Sequence, residues 1–178
     1  MNDHISPICH SSAQNTEDTL TAFNRQESKS LALSGAKLIT GTGQHIDKGT
    51  IVIEDQRIAA VGHPEQVTIP SGAVHIDLTG KTVMPGLIDA HVHLDMHGMP
   101  DTYHESLVED KLRTIRASIE MANTVRAGIT TVRNAGSANY IDIAVKRAVE
   151  EGLVTGPRIL ASGRIICMMT AGSEYFQG

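Results

Sequence analysis

Residues 84–94 read MPGLIDAHVHL, an apolar run that closes on two histidines one residue apart. Side chains of a strand alternate between its faces, so His91 and His93 are expected to point the same way. At roughly 6 to 7 Å apart along the backbone, both imidazoles can lean onto one cation. Ile88, Ala90, Val92 and Leu94 then form an apolar face, and Leu87, Asp89, His91 and His93 the opposite one. A greasy face for a layer of helices, behind a polar face bearing histidines, fits a strand of a parallel β/α barrel near its catalytic end. The alternative is an edge strand with two solvated histidines.

Downstream, strand and helix patterns alternate. Val108, Leu112, Ile115, Ile119, Ala122 and Val125 fall at helical spacing and predict one buried stripe, with Gly128 placed to end the helix. Its charged residues, Glu109, Lys111, Arg113, Arg116 and Glu120, are expected in solvent. Ile141, Ala144, Val145, Ala148 and Val149 mark a second helix, stopped near Gly152, and Gly156 and Pro157 lead into another strand. This order predicts parallel pairing with right-handed crossovers.

Upstream, residues 1–29 are polar and aperiodic, as in a mobile leader. Short strands follow at 36–40, 50–54, 57–61 and 74–78, with a glycine turn at 41–43. Asp55 and Gln56 separate two of them as a hairpin loop. A two-residue type I′ loop prefers Gly second, so Gln56 predicts a different turn or some strain. His45, His63 and His75 sit among these strands and turns and are expected to be exposed or locally bonded.

Three segments together carry a family resemblance. PGLIDAHVH at 85–93 resembles the first barrel strand of the amidohydrolase superfamily of metal-dependent hydrolases; GITTVRNAG at 128–136 resembles the second strand and its turn, and GPRILASGR at 156–164 the third. The set is similar to the imidazolonepropionase-like and Xaa-Pro dipeptidase-like branch, over about residues 31–166. It departs from that pattern at Asn134, where the branch more often carries Asp.

The resemblance implies an α/β fold: a partial TIM-type β/α barrel of about three strand-helix units at 82–178, preceded by part of a small β-sandwich domain at 30–81. It implies a divalent metal, zinc first, as one or two ions, with His91 and His93 binding the more buried one. Such an ion makes hydroxide available near neutral pH and polarises the carbonyl under attack. A bridging carboxylated lysine, two more histidines and a proton-transferring aspartate belong to the same implied set, so the catalytic residues are expected beyond Gly178. Asp89 is the candidate to orient a ligand ring; capping the turn at Pro85 and Gly86 is the alternative. The loop after His93 offers Asp95, His97 and His104 as contacts to substrate, or to a metal in a distorted site.

A β/α barrel needs roughly 250 residues, and 97 run from Thr82 to Gly178. The chain is therefore expected to be the N-terminal portion of an enzyme about twice its size. By itself it is expected to be inactive and to associate through open sheet edges, with copies of itself or a complementary C-terminal fragment. Residues 173–178 resemble a tag-removal protease site lacking two residues, which a native loop explains equally well. A net charge of −5, no basic run and no Trp argue against nucleic acid or an anionic membrane as partner. Cys9 and Cys167 are too few for a disulfide framework, and no signal-peptide pattern opens the chain, so a cytoplasmic location is expected. The expected activity is hydrolysis of carbon-nitrogen bonds in small amides such as dipeptides or N-acyl amino acids. Deamination by the same superfamily chemistry, or a non-catalytic fragment acting by association, are the alternatives.

Overall fold

The computed structural model describes residues 30–96 and 107–166. The leader expected at 1–29, His97, His104 and residues 173–178 lie outside that set. The chain divides into two compact units, with the boundary between Pro85 and Gly86.

The first unit is one mixed sheet. Strands β1 (Ser30–Ile39), β2 (His45–Glu54) and β3 (Arg57–Gly62) pair antiparallel in sequence, while β4 (Val74–Asp77) and β5 (Thr82–Val83) pair parallel to β1. The strand order is β3-β2-β1-β4, with β5 beside the far end of β1. β-branched and leucine residues at period two give this sheet an apolar face, where Ala36, Leu38 and Ile51 are buried with Leu33, Ile46, Ile53, Leu78 and Val83 against them. Within this unit the described strands form this one sheet.

The hairpin between β2 and β3 resolves the question raised by Gln56. Glu54 pairs with Arg57, and Asp55 and Gln56 both take left-handed backbone, at φ 47° and 64°. Two positive φ values make this a type I′ turn, with Gln56 where glycine is preferred. Gln56→Gly is therefore expected to stabilise the unit by about 0.5–1 kcal/mol, the relief of strain exceeding the entropy glycine adds to the unfolded chain. A thermal midpoint that fails to rise would show that the turn carries no such strain.

The second unit alternates β6 (Leu87–Val92), α1 (Asp110–Arg126), β7 (Ile129–Asn134), α2 (Ile141–Glu150) and β8 (Arg158–Leu160). The strands form a parallel sheet in the order β6-β7-β8. The core joins Leu94, Val132 and Ile159 from the strand layer to Ala117 and Met121 of α1 and Ile141 and Val145 of α2. Burying each of the larger side chains stabilises the fold by about 1.5–3 kcal/mol. Gly128 ends α1 as expected: its φ is +90° and its amide bonds Val125 O at 2.9 Å.

The buried face of α1 differs from the expected stripe. Leu112, Ile115 and Ile119 are exposed, the last two by 59% and 57%, whereas Arg113, Ala117 and Met121 are buried. Ala117 lets the helix sit close to the sheet. Arg113 goes inward, against expectation, because a buried carboxylate, Asp95, meets it at 2.5 Å. Helix α2 buries Ile141 and Val145 of its expected positions, with Ala148 and Val149 half-buried and Ala144 exposed.

Candidate metal site

The carboxyl end of β6 brings the two histidines together. Asp89 pairs with Val132 and Val92 with Asn134, so three steps along β6 match two along β7. The extra residue is a β-bulge at Ala90 and His91, and it interrupts the two-residue alternation. Asp89 is thus in phase with core-facing Val132, and the single face expected for Leu87, Asp89, His91 and His93 is divided. Beyond the bulge, Val92 and Leu94 pack into the helix-side core, and the rings of His91 and His93 meet edge to face, 5.4 Å between centroids. Asp89 Oδ1 accepts the His91 backbone amide at 3.0 Å; it holds the bulge rather than a histidine ring or the turn at Pro85.

The protonation pattern of His93 follows from its partner. Its Nδ1 lies 2.9 Å from Gly136 O. A carbonyl only accepts, so Nδ1 is the donor, and of the two ring nitrogens Nε2 is the one left to offer a lone pair. Gly136 is tightly required there. Its φ is +144°, and a Cβ would lie 2.8 Å from Ile165 Cα and closer to the Ile165 side chain. His91 is exposed and His93 half-buried, so both rings are reachable from solvent.

Buried polar groups support this end of the sheet. Asn134 Oδ1 accepts the Leu94 amide at 3.1 Å, and its Nδ2 donates to Asp142 Oδ2 at 3.0 Å. Asp142 also accepts the amides of Gly163 at 2.8 Å and Ile143 at 2.9 Å. Asp95 was expected to touch substrate. It is instead fully buried, accepting from Arg113 and, at 3.2 Å, from the Ala138 amide. Asn139 and Tyr140, at φ 45° and 59°, form a left-handed pair before α2, and the Arg164 guanidinium lies 5.4 Å over the Tyr140 ring. Sequence reasoning gave no role to Asp142, whose signal was hidden in an ordinary helix N-terminus, or to the Gly136 carbonyl, which no side-chain pattern encodes.

Of the other described histidines, His45 and His63 are exposed. His75 is exposed and bonds Ser34 Oγ at 2.7 Å. Nearby Asp77 sits below the usual carboxylate range because the Thr79 hydroxyl and then the Thr79 amide bond it. An open depression of about 680 Å³ lies beside α2 and β8, lined by Lys146, Val149, Glu150, Pro157, Ile159 and Ala161, away from the histidines.

Two imidazoles at this separation, one with its Nε2 freed by a carbonyl bond, fit two positions in the shell of a divalent ion. Among the described residues no group of three His, Cys, Asp or Glu side chains is placed to hold an ion. No described helix is long and apolar enough to cross a membrane.

The chain is similar to known proteins. The chain is 30% identical to the enamidase of Eubacterium barkeri over 115 residues, 64% of this chain and 27% of that protein. It is 31% identical to the imidazolonepropionase of Klebsiella pneumoniae over 114 residues, 62% of this chain and 27% of that protein. Among solved structures, a Xaa-Pro dipeptidase with methionine bound in its active site superposes with a TM-score of 0.66 at 29% identity, covering 77% of this chain and 34% of that one. The chain thus spans about a quarter of the length of these two curated relatives. The sequence pattern of the amidohydrolase family matches residues 82–174, more than half of the chain and all three parallel strands, and the chain belongs to that family.

Proposed function

We propose that the intact protein is a metal-dependent hydrolase of carbon-nitrogen bonds in small substrates such as dipeptides or N-acyl amino acids. The observation that carries this is the His91–His93 ring pair, 5.4 Å apart, with His93 fixed through Gly136 O. Under this reading β6, β7 and β8 are the opening strands of a TIM-type barrel, and the upstream sheet is part of a small β-sandwich domain. The domain limits read as 1–29, 30–81 and 82–178.

His91 and His93 hold a divalent ion, zinc first, at the catalytic end of the strands. Asp89 fixes the His91 backbone and Gly136 orients the His93 ring. When bound, the ion supplies Lewis acidity toward a substrate carbonyl and makes hydroxide available near neutral pH. The remaining ligands and the group that moves the proton to the leaving nitrogen belong to parts of the barrel beyond Gly178. His97 and His104, outside the described residues, remain the candidates for contact with substrate; burial removes Asp95 from that role. The reaction belongs in the cytoplasm, consistent with two cysteines in 178 residues, and a homo-oligomer or a complementary C-terminal segment is the expected partner of the open sheet edges.

Support for the substrate class comes from relatives named imidazolonepropionase and Xaa-Pro dipeptidase. The test is to assay the intact, zinc-loaded protein against dipeptides, N-acyl amino acids, cyclic imidazolones and nucleobases. Hydrolysis of the first two classes is expected. Ammonia release from nucleobases alone would move the protein to the deaminases, and turnover insensitive to removal of the ion by a chelator would end the metal-dependent reading.

A further inference from the structure

The geometry points to Asn134, held by Asp142, as a positioning residue that sets where His93 presents its Nε2 to the ion. This rests on the reading of His91 and His93 as metal ligands. Asn134 and Asp142 are both fully buried. Their bonds converge on the backbone around the site.

Asn134 Oδ1 takes the amide of Leu94, the residue after His93. One residue from Asn134, the Ala135 amide bonds Val92 O at 2.8 Å, on the other side of His93. Two residues on, Gly136 O fixes the His93 ring. His93 is therefore gripped before, after and on its ring by residues 134–136. Asp142 orients the grip: its Oδ2 accepts from Asn134 Nδ2 and from the Gly163 amide, while the Gly163 carbonyl accepts the Ser137 amide at 2.9 Å. The ends of all three parallel strands are joined through one carboxylate.

In this chain, with Asp142 opposite, the arrangement suits asparagine chemically, where the branch more often carries Asp. Position 134 must accept from Leu94 N and donate to a carboxylate that already has two other donors. A carboxamide does both, and its orientation is forced by those partners. An aspartate of the same shape keeps the first bond and sets two carboxylates against each other, which is relieved only by a proton shared between them. The other described buried charges, Asp95 and Arg113, form their own pair.

The test is Asn134→Asp in the intact protein, with Asp142→Asn as a second variant. Zinc affinity would be measured by chelator competition, cobalt(II) absorption would report the ligand geometry, and circular dichroism and melting of the metal-free protein would report the fold. Asn134→Asp is expected to lower zinc affinity by about 10–100-fold, the usual effect of removing support behind a ligand. It should also shift the cobalt bands, and its deficit relative to wild type should grow as pH rises across neutrality. Asp142→Asn should weaken zinc without that pH trend. If both variants bind zinc within a few-fold of wild type with unchanged cobalt bands, while His93→Ala loses the ion, Asn134 has no positioning role and the ligand reading stands. A deficit that matches the loss of the metal-free fold and is constant with pH also overturns the proposal. Full metal retention in His93→Ala would instead overturn the ligand reading beneath it.

Discussion

Replacing His91 and His93 together with alanine in the intact protein is expected to bring bound zinc down to background and hydrolysis with it. Changing a group that merely supports a ligand costs about 10–100-fold in metal affinity, and under the proposed function two ligands go at once. The fold should survive. His91 is exposed, and His93 gives up one hydrogen bond, to Gly136 O, worth about 0.5–1.5 kcal/mol. Elemental analysis after dialysis, beside a circular dichroism spectrum, separates loss of the ion from loss of structure. Full metal stoichiometry in a folded double variant would remove these histidines from the site.

Truncating Arg113 to alanine is expected to destabilise the second unit by about 3–5 kcal/mol, because it strands the fully buried Asp95 carboxylate without its cation. Denaturant titration of the intact protein would measure this. The pair itself is less valuable than its disruption suggests: Asp95 Oδ1, Arg113 Nε and the nearby Ser137 Oγ have no hydrogen-bond partner. A half-satisfied buried pair gains little over apolar packing of the same volume. Asp95→Leu combined with Arg113→Met should therefore recover most of the loss. A cost below about 1 kcal/mol for Arg113→Ala would mean that water reaches the pair.

Much of the second unit was legible in the sequence because its strands and α2 carry clean periodicities with glycines at their ends. Helix α1 was legible as a helix but not in its facing. Leu112, Ile115 and Ile119 make a regular stripe, and hydrophobic spacing does not say which neighbour a stripe serves. The sheet-facing side is set by small Ala117 and by Arg113, whose burial depends on Asp95 eighteen positions earlier. Likewise His91 and His93 were visible as a pair, but the division of their strand from Asp89 was not. Period-two reasoning assumes an unbroken ladder, and the bulge arises from register with β7. Asn134 was noticed as a departure from family pattern; its meaning needed Asp142, which reaches it only when α2 folds back across the strand ends.

The core of the second unit has a consequence for how the chain is made. Its members, from Leu94 to Ile159, come from consecutive elements, each packing on one synthesised shortly before. Such near-sequence contacts close quickly because little loop entropy is lost in forming them. A ribosome delivering this chain from its N-terminus can thus release a sheet already sealed on its helical side. The opposite side, where Ile88 and Leu160 stay 71% and 50% exposed, keeps an apolar surface, and it is the surface a chaperone would have to shield.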